Sequence, residues 1–227
     1  MLKLYFLRHG TTKFNEDEIV QGWNDSPLSK LGEYQAKCAG YGARDILFTK
    51  AYCGDAPRQI NTAKLFLSEN RHETPILEDI HFREKNYGKY EDGSYYDMLN
   101  PLFKMHNQEY GSYDDLYKYM DAIEIANEVS KRDETGRSEN INEVWKRLSE
   151  GIDRIVAENI NGNVLISTSS ISIAAMMRNL FPDKPKRTLV DNCSLTIISY
   201  ENGKYTLDDY NNIDYRLIGE QRYKKDF

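Results

Sequence analysis

Arg8 and His9 follow an apolar run, Leu2 to Leu7, that Gly10 ends. Arg58 stands directly after Pro57, and Glu84 follows a further apolar segment. Two guanidinium groups aimed at one point bind a dianionic phosphate through forked, charge-assisted hydrogen bonds. A histidine held between them can attack phosphorus and carry the phosphoryl group covalently. A neighbouring carboxylic acid can protonate the departing oxygen. None of these steps calls for a metal or an organic cofactor. Taken singly, His9 would be an ordinary turn or core residue, and Arg58 and Glu84 ordinary surface charges. Only the joint pattern carries the reading.

Such residues need strand ends and helix starts to hold them, because ligands of α/β sheets gather beyond the carboxyl ends of the strands. Leu2 to Leu7 reads as a buried strand. Ser29 caps a helix to about Tyr41, with Leu31, Tyr34, Ala36 and Ala39 available for burial. A strand is expected over 46–53, then a helix over 57–68 with Pro57 as its first residue. A short strand over 76–80 leads to Glu84. Asn140 and Glu143 form a capping box ahead of Val144, Trp145, Leu148, Ile152 and Ile155 at helical spacing. Val164 to Ile166 is the next strand, and an apolar helix holding Met176 and Met177 follows. Segments 195–200 and 205–207 flank "ENG" and read as a hairpin. The alternation predicts an α/β three-layer sandwich, with a mostly parallel central sheet and helices on both faces. Residues 1–227 are expected to form one domain with a helical insertion, 95–136, near the active site. That insertion is rich in tyrosine, among them Tyr96, Tyr110, Tyr113, Tyr117 and Tyr119, and is expected to break at Pro101 and Gly111.

The net charge of -6 disfavours nucleic acid and anionic membranes as partners. No window approaches the length of a membrane span, and "MLKLYFLRHG" turns polar too soon for a signal peptide. Cys38, Cys53 and Cys193 fit neither a disulfide framework nor a zinc site, which points to a reducing compartment, the cytoplasm. Nothing in the chain speaks to its oligomeric state.

On these residues the chain resembles the histidine phosphatases, the phosphoglycerate mutase-like superfamily. "LRHGTTKFN" is similar to that family's opening signature, and "VQGWNDSPLSKLGEYQA" to its next segment. "YCGDAPRQINTA", "REKNYGKYED", "GRSENINEVWKRL" and "DNCSLTIISYENGKY" continue the resemblance along the chain. It implies that His9 becomes the phosphohistidine and Glu84 the proton donor. It implies Arg8, Asn15, Arg58 and Ser169 as phosphate-binding positions, and Thr11, Thr12, Gln21, Gly22, Trp23 and Ser170 as further pocket positions. The ligand implied is a small phosphorylated metabolite or inorganic phosphate.

Several positions depart from the family pattern. Thr11 stands where Glu or Gln is usual, and Gly54 where Ser is usual. In "VLISTSSISI" the family has Ser-His-Gly, where this chain has Thr168, Ser169 and Ser170. Ser169 replaces the second histidine, which donates to the phosphoryl oxygens. A serine offers one neutral hydrogen bond and no positive charge. Loss of one such donor costs ~3 kcal/mol, roughly a hundredfold or more in rate. The expected function is a phosphomonoester hydrolase acting through His9 with weakened activity. The alternatives are an inactive phospho-ligand binding protein or a phosphoglycerate mutase-like phosphotransferase. Restoring histidine at 169 is expected to raise turnover. Of the other histidines, His72 reads as solvated, His81 as a core or rim residue, and His106 as part of the insertion. Lys184, Lys186 and Arg187 could form a basic turn around Pro185.

Overall fold

The computed structural model describes residues 1–184 and 189–226, so Lys186 and Arg187 of the basic turn lie outside the described residues. Six strands form one sheet: β1 (Leu2–Arg8), β2 (Phe48–Cys53), β3 (Ile76–Glu78), β4 (Gly162–Thr168), β5 (Leu195–Glu201) and β6 (Lys204–Asn212). Their order is β3-β2-β4-β1-β5-β6. The first four run parallel, with Phe6 opposite Ile166 and Tyr52 opposite Ile166 on its other side. β5 turns antiparallel on β1, and β6 closes the edge as the second arm of the hairpin.

Nine helices surround the sheet among the described residues: α1 (Lys13–Glu16), α2 (Lys30–Gly42), α3 (Pro57–Ser68), α4 (Tyr95–Met105), α5 (Tyr113–Leu116), α6 (Ala122–Lys131), α7 (Ile141–Glu158), α8 (Ser170–Leu180) and α9 (Asp214–Asp226). Side chains alternate across a strand, so each central strand feeds two cores. Leu4, Phe6, Val164 and Ile166 pack with Leu148, Ile152 and Ile155 of α7 and Ile173, Met176 and Met177 of α8. Tyr5, Leu7, Ala51 and Leu165 pack on the other face with Ala36 and Ala39 of α2 and Phe66 and Leu67 of α3. The result is the α/β sandwich, helices on both faces. Local signals start the helices as the sequence suggests. Ser29 accepts from the Gly32 N–H at 3.2 Å. Asn140 and Glu143 exchange their capping bonds at 3.2 and 2.7 Å.

Four local expectations change. β3 ends at Glu78, and Ile80–Phe82 forms a 3-10 turn in which His81 Nδ1 meets Asp79 at 2.6 Å. Pro101 lies inside α4 instead of stopping it, because Met98, Leu99, Leu102 and Phe103 bury an apolar face on both sides of the proline. Leu31 and Tyr34 face outward, and α2 buries Gly32, Ala36, Ala39 and Gly40 instead. α9, a helix with no counterpart in the sequence reading, approaches α2 at Cys38 and Gly42. α4, α5 and α6 gather around Val20 and Tyr90 in a separate apolar cluster beside the sheet.

Candidate active site

His9 sits just past the end of β1, where its N–H donates to the Thr168 carbonyl at the end of β4 (3.0 Å). Its carbonyl accepts from Asn192 Nδ2 at 2.8 Å. The imidazole is buried, and Nδ1 lies 2.8 Å from the Gly10 carbonyl oxygen. A carbonyl can only accept, so Nδ1 carries the hydrogen and Nε2 keeps its lone pair. Burial first, then the charges of Arg58 and Arg8, hold this imidazole well below its ordinary value of 6.5; the Gly10 contact opposes them weakly. His9 is therefore neutral at physiological pH, with a nucleophilic nitrogen.

Glu84 follows the 3-10 turn and is also buried. One carboxyl oxygen accepts from the Lys85 N–H at 2.7 Å. The other accepts from the Ile171 N–H in the first turn of α8 at 3.1 Å. These donors favour the carboxylate, but burial outweighs them and raises the Glu84 acid above its ordinary 4.5. Arg147 of α7 fixes the segment by donating to the carbonyls of His81, Arg83 and Glu84 at 3.0, 2.8 and 2.8 Å, while its other edge pairs with Glu139. A carboxyl group raised above its ordinary value and held rigidly suits a proton donor.

His9 and Glu84 line one cavity of about 330 Å³. Arg8, Asn15, Gln21 and Ser170 line it with them. The Arg8 guanidinium is steadied by the Val190 carbonyl, and its buried Nε has no partner among the described residues. Asn15 Oδ1 accepts the Thr12 N–H at 3.2 Å, and Gln21 bridges Thr12 and Ser26.

The remaining sequence candidates turn toward protein partners instead of lining this cavity. Thr11 donates through both N–H and Oγ to Gln35, at 3.1 and 2.9 Å. Thr12 caps α1. Gly22 and Trp23 belong to a loop whose N–H groups are gathered by the Glu91 carboxylate. Trp23 is half exposed, donates to the Glu84 carbonyl at 3.0 Å and stacks under Arg83. Arg58 is fully buried behind that loop. It donates to Gly22 O at 2.6 Å and Asn24 O at 2.9 Å, and it pairs with Asp25 at 2.7 Å. Arg58 thus acts on His9 and Glu84 through its field.

Ser169 is wholly buried at the start of α8, and its oxygen accepts from Gln59 Nε2 at 2.9 Å. Gln59 also donates to the Phe82 carbonyl. Its amide occupies the space over Gly54, where a Cβ would lie 1.9 Å from Gln59 Oε1. Gly54, Gln59 and Ser169 therefore form one packed unit. An imidazole at 169 would meet the Gln59 amide, so Gln59 bears on whether histidine can be restored there.

In the rest of the cavity wall, Tyr87, Asp191 and Asn192 lie in quoted family segments without an assigned role, and the insertion residues carried no motif. Tyr87, Tyr95, Tyr113 and Tyr117 face the cavity with Asp114, Asp191 and Asn192. Tyr117 OH accepts the Leu189 N–H at 3.1 Å, tying the insertion to the 189–192 segment. The density of tyrosine in the insertion was the one available signal. His106 stacks on Tyr119, in a different groove.

The geometry can be set beside known proteins. The phosphoglycerate mutase of Bacillus anthracis str. Sterne superposes with a TM-score of 0.87 at 30% identity, over 96% of each chain. The uncharacterized phosphatase PhoE of Bacillus subtilis (strain 168) is 26% identical over 93% of this chain and 95% of its own. Fructose-2,6-bisphosphatase TIGAR B of Danio rerio is 38% identical over 88 residues, 37% of this chain. The match spans only 34% of that relative's length. The family profile of the histidine phosphatase superfamily (branch 1) matches residues 4–213. The chain belongs to the histidine phosphatase superfamily.

Proposed function

We propose that this protein is a phosphomonoesterase that works through a phosphohistidine on His9, at a rate reduced by the missing donor at position 169. The observation that carries the reading is the pairing, in one cavity, of a neutral imidazole whose Nε2 keeps its lone pair with a buried carboxylic acid. In the first step the Nε2 lone pair forms a bond to phosphorus while the ester P–O bond breaks. The Glu84 proton passes to the departing oxygen, releasing an alcohol. In the second step water attacks the phosphohistidine. Its proton returns to Glu84, the N–P bond breaks, and inorganic phosphate leaves. Arg8 neutralises charge on the phosphoryl oxygens from within the cavity, and Arg58 supports it from behind. The catalytic domain is read as residues 1–227, with the 95–136 insertion forming its cover. The three buried free thiols favour the cytoplasm.

A second reading has its own observation. The Ser169 oxygen is held by Gln59, and the charge of Arg58 is met by Asp25. A cavity so short of cationic donors could bind a phospho-ligand without turning it over. A screen of purified protein against varied phosphomonoesters separates the two. Turnover that disappears in His9→Ala supports the hydrolase, whereas binding of phosphomonoesters with no His9-dependent turnover supports the binding protein.

A further inference from the structure

We propose that the cavity selects phosphomonoesters carrying an ammonium group, with the phosphate at Arg8 and His9 and the cation against Asp114 and the tyrosine wall. The proposal rests on the reading of His9 and Arg8 as the phosphate end, and it names the substrate class of that same cavity.

Charge is the first ground. Among the described residues, Arg8 is the only cation lining the cavity, whereas Asp114 and Asp191 are both carboxylates there. Arg58 stays outside the cavity lining, paired with Asp25 at 2.7 Å, and reaches the cavity only through its field. Against the described lining, a dianionic ester with a neutral tail would meet one guanidinium and two carboxylates. A zwitterionic ester can set its phosphate at the guanidinium and its cation at Asp114.

Aromatic geometry is the second ground. Tyr95 and Tyr113 stand edge to face with centroids 6.2 Å apart, and Tyr113 and Tyr117 are 5.5 Å apart. These three rings form a bank of electron-rich surfaces, the arrangement that attracts quaternary and primary ammonium groups. Tyr117 is fixed by the Leu189 N–H. Asp191 is anchored by Asn211 at 2.8 Å. The Asp114 carboxylate has no hydrogen bond or ion pair with any described residue, so it is available to a ligand at the mouth of the cavity.

Two matched pairs of ligands test this: O-phosphoethanolamine against propyl phosphate, and phosphocholine against 3,3-dimethylbutyl phosphate. Each pair differs only in replacing charged nitrogen by carbon. Affinity is measured by calorimetry and turnover by phosphate release, for wild type, Asp114→Asn and His9→Ala. The expected result is a preference of about tenfold for the charged member of at least one pair. In Asp114→Asn that ratio should fall toward one. Melting temperature checks that this variant is folded, and Tyr113→Leu offers an independent way to lower the same ratio. Charged-member preference in binding without any His9-dependent turnover would sustain the ammonium site and overturn the hydrolase. Turnover with equal treatment of both members in both pairs would sustain the hydrolase and overturn the ammonium site. Absence of binding and turnover for all four would overturn both.

Discussion

The Nε2 lone pair of His9 is free because Gly10 fixes the tautomer and because burial and two arginines suppress protonation. Glu84 has the opposite assignment, an acid whose proton burial holds to higher pH than an ordinary carboxyl would. The proposed reaction needs neutral His9 and protonated Glu84 together. It is therefore lost as pH falls through the depressed His9 value, well below 6.5, and lost again as pH rises through the raised Glu84 value, above 4.5. The pH profile of kcat/KM should peak on the acid side of neutrality. Glu84→Gln should remove the alkaline limb and lower kcat by roughly 10²-fold or more for esters with poor leaving groups. A Glu84→Gln profile that keeps the limb would assign it to another group. Position 169 gives a second prediction. Ser169→His alone should gain little and should lose stability, because Gln59 and the shell around Gly54 leave no space for the ring. Ser169→His combined with Gln59→Ala should gain about tenfold in His9-dependent phosphatase rate. A single variant that melts like wild type and gains as much as the double would show that Gln59 is no obstacle.

β1, β2, β4, α3 and α7 were legible because each carries a strong local signal: an unbroken apolar run, a proline at the first helical position, or a capping box with apolar spacing behind it. Those elements present Arg8, His9, Arg58 and the Glu84 segment, so this half of the site was legible as well. The side-chain commitments of Arg58 and Ser169 were not. Gln59 and Asp25 meet them across long sequence separations, and neither residue type signals that role. α9 was invisible for a different reason. It docks on α2 by close backbone approach, not by an apolar stripe. A Cβ at Gly219 would lie 1.9 Å from the Cys38 carbonyl oxygen. Gly219→Ala should therefore lift the helix and destabilise the protein by ~1–3 kcal/mol, read from the denaturant midpoint. An unchanged midpoint would mean that α9 contributes nothing to the fold. The insertion was legible only as tyrosine-rich helical pieces. Its role as a wall of the cavity depends on how α4, α5 and α6 pack around Val20 and Tyr90, which no local pattern encodes.

Stability of the whole chain carries one conspicuous burden, the fully buried Lys85. Its ammonium donates to Asn86 O at 2.9 Å and Ser138 Oγ at 2.6 Å, with no carboxylate in contact, and burial lowers it from 10.5 to about 8. Between those two values the unfolded chain holds a proton that the fold has released, so stability rises with pH there. Below about 8 both states are protonated and the full penalty remains. Lys85→Met should raise the melting temperature at pH 7 by a few degrees, since both acceptors keep other partners. A lower melting temperature would mean that the ammonium's hydrogen bonds outweigh its desolvation. The phosphohistidine proposed at His9 can be tested directly. Wild type is incubated with a ³²P-labelled phosphomonoester that it turns over, quenched in alkali to preserve phosphohistidine, and mapped by peptide. Label should appear on the peptide holding His9, form no more slowly than product, and vanish in His9→Ala together with turnover. Phosphate release at the wild-type rate from His9→Ala, or label on a different residue, would refute a phosphohistidine at His9.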